Sequence, residues 1–347
     1  MSRAKRKSEH INIALDLDDS LQADSLEDVQ LIHQSIPELD LSDIDLSCSF
    51  LGKKLAMPLL VNAITGGIDQ ALTINRDLAQ VAGKMGIAMA VGSQTISLED
   101  HGLKDSFKIV RDVNPDGLVL ANVGANTKPD QAFRAVEMIA ANGLQLHLNV
   151  PQELAMPEGD RKFRGLIDNI ARIVLNSPVP VIAKEVGFGL SRESAVKLYE
   201  AGVRLLDIGG QGGTDFIAIE LARGGLLSRD FFAWGIPTAP SIAEVRSTGL
   251  PVTLVASGGI KSGLSAAKAI AMGADLVGMA GYVLKTWSTG GASAVESHLK
   301  GFEYEMKCGL LMTGVSRPHE LKQVPLILGG RTAQWLACRD INLNYRS

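Results

Sequence analysis

Eight short apolar runs recur along the chain, each closed by a polar or glycine turn, and this repetition constrains the fold more than any other feature. The runs cover residues 57–63, 87–91, 118–121, 144–148, 179–183, 205–208, 252–256 and 276–280. Most lack the apolar/polar alternation of a half-exposed strand and so read as strands buried on both faces. Helix-like patterns separate most of them, as over 131–141 and 192–201. Buried strands alternating with helices imply a parallel sheet, and eight such units predict an α/β fold of the (β/α)8 TIM-barrel type. No GxGxxG opens the chain, which argues against a Rossmann domain.

The gap between the sixth and seventh runs, about 40 residues, exceeds what one crossover helix needs. Within it, 215–240 carries Arg223-Gly224-Gly225, Phe231, Phe232 and Trp234, and reads either as an inserted lid or as a purely structural insertion. Residues 1–55 have a different rhythm. They are expected to form an N-terminal arm and extension packed on a barrel spanning 56–347. The arm opens with Arg3, Lys5, Arg6, Lys7 and His10, followed by an acidic stretch with Asp16, Asp18, Asp19, Glu27, Asp28 and Asp43. Composition favours a solvated, disordered tail over an arm that grips an anion.

A chain of 347 residues, 46% hydrophobic, is long enough for one barrel of this size. Its net charge of -4 gives no electrostatic case for nucleic acid. Cys48, Cys308 and Cys338 lie far apart without a CxxC, which suggests a reduced compartment and neither a zinc site nor a disulfide frame. The basic start is followed by no apolar stretch of signal-peptide type, and no run is long enough for a bilayer. A cytoplasmic protein without a membrane or nucleic-acid partner is expected.

Function is sought at the C-terminal ends of the strands. The last two runs end in Ser257-Gly258-Gly259 and Gly281, each at the start of a helical pattern. Glycine lets a phosphate approach the backbone, and a helix N-terminus supplies positive potential, so two neighbouring turns suit one phosphate. A single turn would read as an ordinary loop. The other strand ends carry Thr65, Ser93, Asn122, Asn149, Gln152, Glu153, Lys184 and Thr214. Any one could be a cap, but a ring of them points to a site. Lys184 could form a Schiff base, pair with the electron-rich edge of a flavin, or pair with Glu185; a nearby phosphate cup favours the cofactor role. Glu153 could hold Mg²⁺ together with substrate phosphates. His147, inside its run, reads as structural, and His101 is unassigned.

In order, the chain carries Arg6-Lys7-x-x-His10-Ile11, Ile64-Thr65-Gly66-Gly67, Gly92-Ser93-Gln94, Ala121-Asn122-Val123-Gly124 and His147-Leu148-Asn149-x-x-Gln152-Glu153. Lys184-Glu185-Val186-Gly187, Gly209-Gly210-x-Gly212-Gly213-Thr214, Ser257-Gly258-Gly259-Ile260 and Ala280-Gly281 follow. This combination resembles the type 2 isopentenyl-diphosphate isomerases, which are FMN-dependent barrels, over nearly the whole chain. Ile64 and Lys261 stand where that family often has methionine and arginine. The resemblance implies that Ala63, Ile64, Thr65, Ser93, Asn122, Lys184 and Thr214 surround the flavin. It implies that Gly258, Gly259, Ile260, Lys261, Ala280 and Gly281 hold its phosphate. Arg6, Lys7, His10, Asn149 and Gln152 would bind the substrate, with Gln152 at its reacting end, and Glu153 would hold Mg²⁺. It further implies interconversion of isopentenyl and dimethylallyl diphosphate, with N5 of reduced FMN as acid/base, NADPH as reductant, and a homo-oligomer, tetramer or octamer. Two other readings stay open: a 2-hydroxy acid oxidase-like FMN oxidoreductase on the same barrel, and a non-catalytic flavin- or phosphate-binding module.

Overall fold

The eight apolar runs meet in a closed barrel. The structure, a computed structural model, describes residues 3–17 and 24–342. The barrel strands are β1 (Leu59–Val61), β2 (Ala88–Ala90), β3 (Val119–Gly124), β4 (Gly143–Leu148), β5 (Val181–Glu185), β6 (Leu205–Asp207), β7 (Thr253–Ser257) and β8 (Leu276–Met279). Each runs parallel to its neighbours, and β8 closes on β1 through the pairing of Val277 with Leu59. Every residue of β1, β2, β3, β5 and β8 is buried. One set of side chains fills the barrel while the other packs beneath the helices, which explains the missing alternation. Leu60, Ala88, Leu120, Ile182, Val255 and Leu276 form the inner cluster. Phe50 and Leu55, from the hairpin Cys48–Phe50 and Lys53–Leu55, join that cluster from the N-terminal end of the barrel. Burying side chains of this size contributes about 1.5–3 kcal/mol each.

Three additions to the barrel shape the site. The first is helix α1 (Arg3–Asp16), which corrects the compositional expectation of a disordered tail. Ile11 of α1 is buried in the main core, and Lys7 and His10 of this helix find partners far away in sequence. Asp18 and Asp19 lie outside the described residues, as does the side chain of His101. The second addition is the insertion between β6 and β7. It begins with a helix capped by Asp215, which accepts from the Ala218 N–H, and includes the 3-10 turn Arg229–Ala233. We label the short helix after β4 α2 (Val150–Ala155), the insertion helix α3 (Phe216–Ala222) and the crossover helix that follows it α4 (Thr238–Arg246). The insertion lies over α2, since the Leu226 N–H donates to Ala155 O at 2.8 Å. The third addition ties the chain ends together: Val29–Leu31 pairs antiparallel with Leu326–Leu328.

Helix α5 (Gly263–Ala271) follows β7, and α6 (Gly281–Met312) follows β8 with a break at Gly290–Gly291. Among the described residues no helix is long and apolar enough to cross a membrane.

Candidate active site

The C-terminal face of the barrel holds a cavity of about 550 Å³. Its wall is built first by strand ends. Ala63, Ile64 and Thr65 follow β1, Ser93 follows β2, and Asn122 lies within β3. Lys184 lies within β5, almost fully buried, and its ammonium donates to Glu185 O at 2.9 Å. Beneath these residues a ladder of buried polar side chains crosses the barrel interior. Asp207 of β6 accepts from Gly209 N–H, from the Ser257 hydroxyl and, at 2.6 Å, from Asn62 Nδ2. Gln145 bonds Asn62 and Asn122 at 2.9 Å each, and Asn122 Oδ1 lies 2.8 Å from His147 Nδ1. Burial, with the ammonium groups of Lys184 and Lys7 nearby, pushes His147 down to about 4, so its imidazole is neutral at pH 7.

One end of the cavity is lined by backbone turns. Gly258, with φ of +105°, packs so tightly on the glycine loop after β6 that a Cβ there would lie 2.0 Å from Gly210 O. The Thr238 hydroxyl holds Gly258 O at 2.6 Å. Ser262 caps α5, Gly281 opens α6, and the Thr214 hydroxyl stands beside Gly281. Two helix N-termini and Lys261 therefore meet at one wall, the chemistry that suits a phosphate. The residues present thus fit a phosphate-bearing cofactor such as FMN.

The opposite wall carries the arm, α2 and the insertion. Lys7 donates to Gly66 O at 2.5 Å and Ser93 O at 2.6 Å, with its ammonium 5.3 Å from the centre of the Phe107 ring. Arg6 lies 3.9 Å from Glu158. His10 Nε2 lies 2.8 Å from Glu220 Oε1, and Gln152 Nε2 donates to the same oxygen at 3.1 Å. The Glu220 side chain is fully buried and also pairs with Arg223. Burial works to raise its pKa, but hydrogen bonds from His10 and Gln152 and the Arg223 charge outweigh it, leaving the group below the usual carboxylate range. Arg223 also binds Glu9 at 3.0 Å and Glu158 at 2.9 Å; these partners hold it more basic than usual despite its burial. Glu153 accepts from Asn149 Nδ2 on one oxygen and from the Asp160 N–H on the other, both at 2.8 Å. Among the described residues no group of three His, Cys, Asp or Glu side chains is placed to hold a metal.

All the site residues expected from sequence line this one cavity: Arg6, Lys7 and His10 from the arm, Asn149, Gln152 and Glu153 from the start of α2, the strand-end residues, and the turns 258–261 and 280–281. Sequence reasoning missed Asn62, Gln145, Asp207 and Glu220 and named Arg223 only as part of the insertion; His147, read as structural, lines the cavity. The spacing of Gln145 and His147, two polar residues on one face of an otherwise apolar strand, was the signal available. Glu220 carried none, because its partners His10 and Gln152 lie on the arm and on α2.

Residues 128–327 match the family profile described as FMN-dependent dehydrogenase. The chain is 51% identical to the isopentenyl-diphosphate delta-isomerase of Moorella thermoacetica, over 98% of each chain. It is 47% identical to the protein of the same name from Symbiobacterium thermophilum, over 98% of this chain and 97% of that one. Among solved structures it is similar to a mandelate oxidase variant with a monooxide FMN adduct, with a TM-score of 0.65 and 16% identity over 92% of each chain. A lactate oxidase of Pediococcus acidilactici gives a TM-score of 0.68 and 15% identity, over 91% of this chain and 87% of that one. At such identities the two oxidases share the fold alone.

Proposed function

The chain belongs to the isopentenyl-diphosphate delta-isomerase family, and from that premise we propose that it interconverts isopentenyl and dimethylallyl diphosphate in isoprenoid biosynthesis. Identity of 51% across nearly the whole chain carries this reading. The convergence of a glycine cup, a polar ring and a cationic arm on one cavity supports it. The double bond moves when one proton is added to the terminal alkene carbon and another leaves the allylic carbon. Reduced FMN, when bound, supplies the proton-carrying N5 for this chemistry.

The protein's own residues bind, orient and exclude water. In our reading Gly258, Gly259, Ile260, Lys261, Ala280 and Gly281 hold the flavin phosphate, and Ala63, Ile64, Thr65, Ser93, Asn122, Lys184 and Thr214 surround the ring. Arg6, Lys7 and His10 face the diphosphate, and Glu153 holds its Mg²⁺ with Asn149 beside it. Gln152, fixed by Glu220, contacts the reacting end of the substrate. Phe216 and Ile219 of the insertion add apolar wall, which keeps water from competing for the proton. NADPH is the reductant in this reading, residues 1–55 act as arm and extension to a barrel of 56–347, and a cytoplasmic tetramer or octamer is the working assembly.

The test is an anaerobic assay with isopentenyl diphosphate, with and without FMN, NADPH and Mg²⁺. Formation of dimethylallyl diphosphate that requires all three is the expected result. Oxidation of 2-hydroxy acids without isomerisation would overturn the reading in favour of an oxidoreductase.

A further inference from the structure

The polar ladder beneath the cavity has a direction, and its Asn62 end fixes it. Asn62 Oδ1 accepts from the backbone N–H of Ala63 at 2.9 Å, and a backbone N–H can only donate. Asn62 Nδ2 points to Asp207 Oδ2, and the two oxygens of Asp207 together take three donors. Two independent partners therefore set the Asn62 amide the same way round. Gln145 must then give its Nε2 hydrogens to Asn62 Oδ1 and turn Oε1 to Asn122. Asn122 in turn spends its Nδ2 on Gln145 and presents Oδ1 to His147 Nδ1. An amide oxygen only accepts, so Nδ1 carries the proton.

We infer that Gln145 is a positioning residue that relays this polarity from Asp207 and Asn62 to Asn122 and His147, so that His147 is held as the Nδ1–H tautomer and offers the Nε2 lone pair to the cavity. Nε2 lies on the side of Gly124, which also lines the cavity. The chemical class it selects is a hydrogen-bond donor, such as a ring N–H of the bound flavin. A second donor aimed from the protein would repel that group. The neutrality of the imidazole, maintained by burial and by Lys184 and Lys7, keeps Nε2 free of a competing proton. The role as a flavin contact rests on the isomerase reading given above; the tautomer does not. A buried amide that does nothing but relay direction is also costly to leave half-bonded, about 1–3 kcal/mol per unsatisfied group, so all five side chains are mutually dependent.

The test reads the tautomer directly. Holoprotein selectively labelled with ¹⁵N-histidine is examined by long-range ¹⁵N–¹H correlation, with the His147 signals assigned from their loss in His147→Gln. The wild-type protein should show one neutral Nδ1–H form at pH 7. A wild-type Nε2–H or doubly protonated ring would overturn the inference. Gln145→Met, of similar volume, cuts the ladder between Asn62 and Asn122 and should give a mixture of tautomers. Ser257→Ala removes one donor to Asp207 but leaves the ladder, and should keep the single form. If Gln145→Met is folded by circular dichroism and thermal melting yet retains one Nδ1–H tautomer, the relay is refuted. Should Gln145→Met not fold, Gln145→Asn, one methylene too short to bridge both amides, is read in the same way. These measurements do not depend on turnover, so failure of the isomerase assay and failure of the relay are separate results.

Discussion

Replacing Gly258 by alanine tests the phosphate cup. At this position φ is +105°, a conformation that costs an L side chain about 1–3 kcal/mol. The larger effect is steric. The new Cβ would stand 2.0 Å from Gly210 O, 2.7 Å from Gly210 C and 2.8 Å from Gly210 N, whereas ordinary contact begins at 3.4 Å. All three are backbone atoms, so no rotamer relieves the clash, and the two turns must part by about 1.4 Å. A shift of that size breaks hydrogen bonds from the turn to a phosphate, each worth about 1.5–3 kcal/mol when charge-assisted. Two such losses predict FMN binding weakened by about a hundredfold or more. Flavin fluorescence quenching on the apoprotein gives the Kd. Gly249→Ala is the matched control: its φ is +66°, but no atom lies within 4 Å of the new Cβ, so it should carry the backbone strain and leave FMN binding alone. If Gly258→Ala melts like the control and binds FMN within about threefold of wild type, the cup is not where the phosphate sits.

Other substitutions separate the remaining roles. Glu153→Gln should retain flavin absorbance and lose Mg²⁺-dependent turnover, checked by titrating activity against Mg²⁺; loss of flavin with Mg²⁺ dependence intact would contradict the assignment. Arg6→Ala should raise KM about tenfold or more at unchanged flavin content, the loss of one charge-assisted bond. Lys7→Ala should also weaken FMN binding, because its ammonium ties Gly66 O to Ser93 O beside the ring site. Burial, partly opposed by the Phe188 N–H and Lys184, pushes Glu185 from its ordinary 4.5 up to about 8. A raised folded value means that its contribution to stability is fully present below about 4.5 and is lost as pH rises towards about 8. Glu185→Gln, which can still accept from the Phe188 and Gly189 N–H groups, should therefore flatten the fall of Tm across that window, measured by calorimetry.

The barrel was legible because burial on both faces leaves long apolar runs, and the turns were marked by glycine. Some strand ends were read too early, at a polar residue. The run 118–121 stops at Asn122, yet β3 continues to Gly124, because the Asn122 side chain is satisfied inside the barrel by Gln145 and His147. The run 179–183 stops at Lys184, yet β5 includes Lys184 and Glu185 for the same kind of reason. Polarity signals a strand end only when the partner is water; here the partners are other strands, distant in sequence. The arm failed the same way. Its charges suggest solvent when read alone, but Lys7 binds carbonyls 59 and 86 residues away, and His10 pairs with a carboxylate beyond residue 200. The site residues that could be read were those attached to glycine turns or strand ends; the invisible ones, Asp207 and Glu220, act through contacts that only the closed fold creates.

Glu220 shows what that closure adds. Its carboxylate is fully buried and joins three elements that the chain presents separately: His10 of α1, Gln152 of α2, and Arg223 just beyond α3. An isolated carboxylate at this depth would be driven to neutrality, and His10, Gln152 and Arg223 together outweigh that burial. The same partners need it in return. Without Glu220, Arg223 would face Glu9 and Glu158 alone, His10 would lose its anchor, and the Gln152 amide could turn. Removing one member of such a buried set costs about 3–5 kcal/mol, because a charge is left without compensation. The arm therefore cannot leave the barrel without disturbing the side chain at the reacting end of the proposed substrate. In the proposed reaction, seating His10 at the diphosphate and orienting Gln152 are therefore coupled through one carboxylate.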